Sequence, residues 1–101
     1  LLRRWLYEHS WHIVDEALAQ VDGRVYQIIK AERGQKEIPS ELALKLGPVL
    51  LDKRPELFAN HVENNLISCH KVLTGLQKSA EPDRERIQQV EAEIAELEGL
   101  L

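Results

Sequence analysis

Methionine is absent from these 101 residues and cysteine occurs once. One cysteine excludes an internal disulfide and fits a reducing compartment, so a cytoplasmic location is expected. The chain opens on Leu1. With no initiator Met, the expectation is a segment of a longer protein. Glycine is sparse: Gly23, Gly34, Gly47, Gly75 and Gly99 each stand alone. That spacing excludes a glycine-rich phosphate or dinucleotide loop within the chain. No apolar run approaches the ~20 residues of a membrane-spanning helix, and no basic start leads into an apolar core. No membrane partner is expected. A strongly basic surface is also missing. The net charge is −4, and six acids against two bases from Asp83 onward account for all of it. The residues before Asp83 balance, so an anionic partner would have to meet local basic stretches.

What is present begins with "LLRRWLYEHS", Leu1–Ser10. Leu2, Trp5, Leu6 and His9 recur at helical spacing, which predicts a helix. A weakly patterned strand follows from His12 to Val21. Asp22-Gly23 is a strong short hairpin signal, because a tight primed turn needs positive φ. The chain then returns as a strand from Arg24 to Ala31. A two-residue turn fixes the register: Val21 faces Arg24, Ala19 faces Tyr26, Ala17 faces Ile28 and Asp15 faces Lys30. Val25 and Ile29 point to one face of the second strand, Tyr26 and Ile28 to the other. Apolar residues on both faces predict a strand covered on both sides, inside a sheet. One helix and one hairpin cannot supply that cover.

Arg33–Pro39 is a polar stretch. Ser40 is placed to cap a short helix, Glu41–Leu46, and Pro48 to open another through Leu51 after the Gly47 break. A long helix is expected from about Pro55 to Lys78. Its Ala59, Val62, Leu66, Cys69, Leu73 and Leu76 alternate in steps of three and four. After "SAEPD", Ile87, Val90, Ile94, Leu97 and Leu101 do the same. Both are heptad seams. The short break folds the second helix back on the first. One register then pairs Leu76 with Ile87, Leu73 with Val90, Cys69 with Ile94, Leu66 with Leu97 and Val62 with Leu101. An antiparallel coiled-coil hairpin over 55–101 is the prediction.

Candidate chemistry is thin. His9, His12, His61 and His70 lack the spacing of a metal site. Cys69 on the seam reads as a buried structural thiol. Glu91, Glu93, Glu96 and Glu98 read as a solvated acidic face. Trp5 and Trp11 read as packing residues before base-stacking platforms. Among the bases, Lys30, Arg33 and Lys36 cluster after the hairpin, Lys45, Lys53 and Arg54 lie on the short helices, and Lys71 and Lys78 share one outer stripe of the long helix. Their ordinary reading is a solubilising surface. Their functional reading is phosphate contact with RNA, through Lys36, Lys45, Lys53, Arg54, Lys71 and Lys78.

The words "LRRWLYEHSWHIVDEALAQVDGRVYQIIKAE" and, above all, "LGPVLLDKRPELF" (Leu46–Phe58) resemble the C-terminal part of the bacterial tRNA (adenine(22)-N1)-methyltransferases. The resemblance is strong from Leu2 to Phe58 and is one of architecture afterwards. It implies an α+β fragment: the end of a Rossmann-like methyltransferase sheet over 1–33, a linker with short helices over 34–54, and the coiled-coil hairpin over 55–101. It implies S-adenosylmethionine as a cofactor bound by residues upstream, and tRNA as a partner. The family's cofactor motif and catalytic loop have no counterpart here, so no catalytic, cofactor-binding or metal residue is expected in this span. Alone the chain is expected to be inactive, with self-association possible through the edge of the last strand or the coiled coil. The alternative is a non-enzymatic coiled-coil module that binds protein, with the acidic final helix as its support.

Overall fold

A computed structural model describes all residues, 1–101, as two compact units, Leu1–Phe58 and Ala59–Leu101. The first unit holds α1 (Leu2–Glu8), β1 (Trp11–Val21), β2 (Arg24–Arg33), α2 (Glu41–Leu46) and α3 (Pro48–Lys53). The second holds most of α4 (Phe58–Gln77) and all of α5 (Arg84–Glu98).

The hairpin is built as its turn chemistry demands. Asp22 and Gly23 both take positive φ, 51° and 76°. Asp15 through Val21 pair with Lys30 through Arg24 in the expected register. A bulge interrupts the ladder between Ile13 and Asp15. The extra residue lets both Ile13 and Glu16 face inward, where strict alternation would have put Asp15 beside Ile13. At the open end of the hairpin, the Gly34 N–H donates to the Ser10 carbonyl at 2.8 Å.

One face of this two-stranded sheet is covered. Leu6, Tyr7, Ile13 and Leu44 form a buried cluster, with Trp11, Ile29, Ala31 and Val49 packed against it. The other face is open: Tyr26 is 50% and Ile28 54% exposed. Within this chain one face of β2 therefore stays uncovered, as expected of a helix and hairpin that cannot supply the cover by themselves. β1 is its sole neighbour in the sheet, and the buried contacts of α1, α2 and α3 fall on the face that carries Ile13, Glu16 and Ile29.

The short helices form as their punctuation predicts. The Ser40 hydroxyl accepts from the Ala43 N–H at 3.2 Å, which satisfies one unpaired donor of the first turn. Pro48 opens α3 where its missing N–H costs nothing. These two helices belong to the first unit and pack on α1 and β1.

In the second unit most heptad positions are covered, and His61, off the seam, is buried with them. Val62, Cys69, Val90, Ile94 and Leu97 are buried, and Leu66, Leu73, Leu76 and Ile87 are half-buried. The Cys69 thiol lies 3.6 Å from a Glu93 carboxylate oxygen, linking α4 to α5. Asp83 caps α5 by accepting from the Arg86 N–H at 3.1 Å. The ends of the seam depart from expectation. Ala59 is exposed, and Leu101, expected opposite Val62, lies past the end of α5 and is 61% exposed. The glutamate-rich α5 stops at Glu98, so no helix carries Leu101 to that layer.

Candidate nucleic-acid interface

A buried polar cluster around Arg3 and Glu16 frames the first unit. Arg3, on α1, is 6% exposed, as is Glu16 on β1. Arg3 Nε donates to Glu16 Oε2 at 2.8 Å, Nη2 to Gln27 Oε1 at 2.7 Å, and Nη1 to the Lys45 carbonyl at 3.3 Å. Glu16 Oε1 accepts from the Val49 N–H at 2.8 Å and the Leu50 N–H at 3.4 Å. One ion pair thus ties α1, both strands, the end of α2 and the start of α3. Its burial is sustained because every polar side-chain atom of the pair has a hydrogen-bond partner. Gly47 makes room for it. A Cβ there would stand 2.6 Å from Glu16 Oε2 and 2.8 Å from Arg3 Nη2, and its φ is +110°. The Gly47-Pro48 break in the most specific part of the sequence is therefore the lid of this cluster.

Around that frame the expected phosphate-binding residues meet different fates. Lys45 is in the last turn of α2 and is already engaged. Lys53 donates to Asp15 Oδ1 at 3.0 Å. Asp15 is held below its ordinary carboxylate value, first by that hydrogen bond, then by the Glu16 N–H and by the Lys53 charge. Arg54 is left-handed at the end of α3, with φ 44°. Its Nε donates to the Leu51 carbonyl at 3.2 Å, and its guanidinium lies 5.5 Å from the centre of the Phe58 ring. Lys36 is exposed beyond β2 and makes no ion pair. In the second unit, Lys71 on α4 and Lys78, in the turn just past its end, are likewise exposed and unpaired. Of the six, Lys36, Lys71 and Lys78 keep their charge uncommitted.

Sequence reasoning missed several partners. Arg4 is paired with Glu41, and Arg33 lies 5.2 Å over the Trp11 ring. Trp5 is 49% exposed and stacks on His9 with centroids 4.2 Å apart. A shallow groove on α4, lined by Ile67, His70, Lys71 and Thr74, also went unseen. Its signal was in the sequence: those four positions recur at helical spacing away from the heptad seam. No group of three or more His, Cys, Asp or Glu side chains gathers at a metal-binding distance. No helix is long and apolar enough to cross a membrane.

Several solved structures share this fold. A Streptococcus agalactiae structure of the NADB-Rossmann superfamily superposes with a TM-score of 0.75 at 23% identity, over 99% of this chain and 42% of that one. A Streptococcus pneumoniae structure assigned as a tRNA (m1A22) methyltransferase gives 0.77 at 25% identity, over 99% of this chain and 43% of its own. That protein was also solved in complex with S-adenosyl-L-methionine. The curated tRNA (adenine(22)-N(1))-methyltransferase of Bacillus subtilis (strain 168) is 25% identical over 105 residues, which covers 99% of this chain and 43% of the relative. The chain spans less than half the length of that relative. The family description tRNA (adenine(22)-N(1))-methyltransferase matches residues 1–99, and the chain belongs to this family.

Proposed function

We propose that this chain is the C-terminal part of an S-adenosylmethionine-dependent tRNA (adenine-N1)-methyltransferase. Residues 1–33 finish the catalytic sheet, 34–54 connect, and 55–101 form an antiparallel coiled-coil hairpin that helps to grip tRNA. The observation that carries the reading is the family match over residues 1–99. The open apolar face of β2 supports a role in completing a larger sheet, since Tyr26 and Ile28 are the residues such a sheet would bury. The buried heptad positions and the Cys69–Glu93 contact support the coiled coil.

Methyl transfer requires a pocket that aligns the donor with the base. No such pocket is expected in this span, and donor binding and chemistry are assigned to other residues of the whole enzyme. This span contributes phosphate contacts, through Lys36, Lys71 and Lys78 above all. Lys45, Lys53 and Arg54 form a secondary group, because intramolecular partners already compete for them. The expected setting is the cytoplasm. Salt titration of tRNA binding by the 101-residue chain tests the grip. Binding that weakens steeply with salt, and further on K71E/K78E, is expected; tRNA binding indifferent to both would refute it.

A further inference from the structure

The groove on α4 differs from the rest of the basic surface. Its lining residues Ile67, His70, Lys71 and Thr74 fall on adjacent turns of one helical face, and its volume is about 410 Å³. Ile67 is 55% exposed, an aliphatic side chain left in water on a helix whose heptad seam is buried. Around it stand three side chains that can donate hydrogen bonds: the His70 ring, the Lys71 ammonium and the Thr74 hydroxyl. Lys78 continues the stripe one turn beyond Thr74, and Glu63, one turn before Ile67, is its only acid.

An apolar floor with a donor rim favours one form of RNA over another. A duplex presents phosphates and riboses outward and keeps its base faces stacked inside. Against a duplex, Ile67 would have nothing to cover it. An unpaired nucleotide presents an apolar base face together with its phosphate. The base face can lie on Ile67 and the Lys71 stem, and the phosphate can reach Lys71 and Thr74. The depression is shallow and open to solvent, so it seats one base face without enclosing the nucleotide. The net charge of the stripe is positive, which attracts the phosphate, whereas the acidic α5 repels it.

We infer that this groove is a subsite for one unpaired nucleotide of a loop or bulge in the RNA substrate. The inference rests on the tRNA reading above and sharpens it. All four residues are exposed on α4, and Ile67 is 55% exposed, so substitution there should cost little stability.

The test compares an unstructured uridine octamer with an RNA duplex of equal length, by fluorescence anisotropy with the 101-residue chain. The octamer is expected to bind about tenfold more tightly. I67S should weaken octamer binding about tenfold and leave the salt slope unchanged. K71A should weaken it and reduce the slope by about 0.7, as one lost phosphate contact on a single strand requires. Thermal unfolding of I67S, expected to match the wild type, separates lost contact from lost fold. Duplex binding as tight as octamer binding, or I67S without effect, overturns the subsite. If tRNA still binds in a salt-dependent way in that case, the general grip survives. If no RNA binds at low salt, the subsite and the grip fall together.

Discussion

Gly47 carries a constraint that its sequence context only hints at. The Gly-Pro pair was legible as a helix break, but its reason is the Arg3–Glu16 pair beneath it. G47A is expected to destabilise the chain by about 2 to 4 kcal/mol, from strain at φ +110° and from crowding of the carboxylate. Denaturant unfolding measures it. E16A should cost about 3 to 5 kcal/mol, because it leaves Arg3 buried without a counter-charge. Arg3 and Glu16 were not legible as partners. They lie on different elements, and the bulge that turns Glu16 inward has no mark in the sequence.

Asp15, by contrast, is exposed, and its effect is on pH dependence. Its folded value lies below its ordinary 3.8, held there by Lys53 and the Glu16 N–H. A depressed carboxylate contributes stability that is present above its unfolded value and lost as pH falls through the folded one. The stability difference between wild type and D15N should therefore hold from about pH 5 upward and fade below about pH 4. A difference that grows on acidification would contradict the Lys53–Asp15 assignment.

At the scale of elements, turn and cap chemistry made most of the first unit readable. Asp22-Gly23 set the register of seven cross-strand pairs, and Ser40 and Pro48 placed the starts of α2 and α3. What periodicity could not foresee was the cover on β2, because apolar residues on two faces state a requirement without saying who meets it. The heptads located the buried stripe on α4 and α5 but overran its end. L97A is expected to cost about 2 to 5 kcal/mol, since Leu97 is fully buried. L101A should stay within about 0.5 kcal/mol, since Leu101 is mostly exposed. Equal effects would restore the layer that the structure omits.

At the scale of the whole molecule, charge is segregated. Acids crowd α5, whereas the uncommitted lysines are on α4, just past its end and beyond β2. Composition alone argued against a nucleic-acid footprint, because a net −4 averages the two regions. The six candidate bases were named from the sequence, but which of them are committed was not legible. Asp15 and the Phe58 ring meet Lys53 and Arg54 only in the folded chain. The groove beside Lys71 left only the helical spacing of its residues in the sequence, because an exposed isoleucine is unremarkable until its neighbours are placed around it.

The measurement that tests the account most directly is methyl transfer from S-adenosylmethionine to N1 of an adenine in tRNA. It is made with the full-length protein containing this chain, as wild type and as K36E/K71E/K78E. The account predicts methylation by the wild type. In the variant the KM for tRNA should rise at least tenfold, with kcat at saturation little changed, because these lysines bind substrate and do not touch the reacting atoms. No methylation by the wild type, or an unchanged KM in the variant, would contradict it.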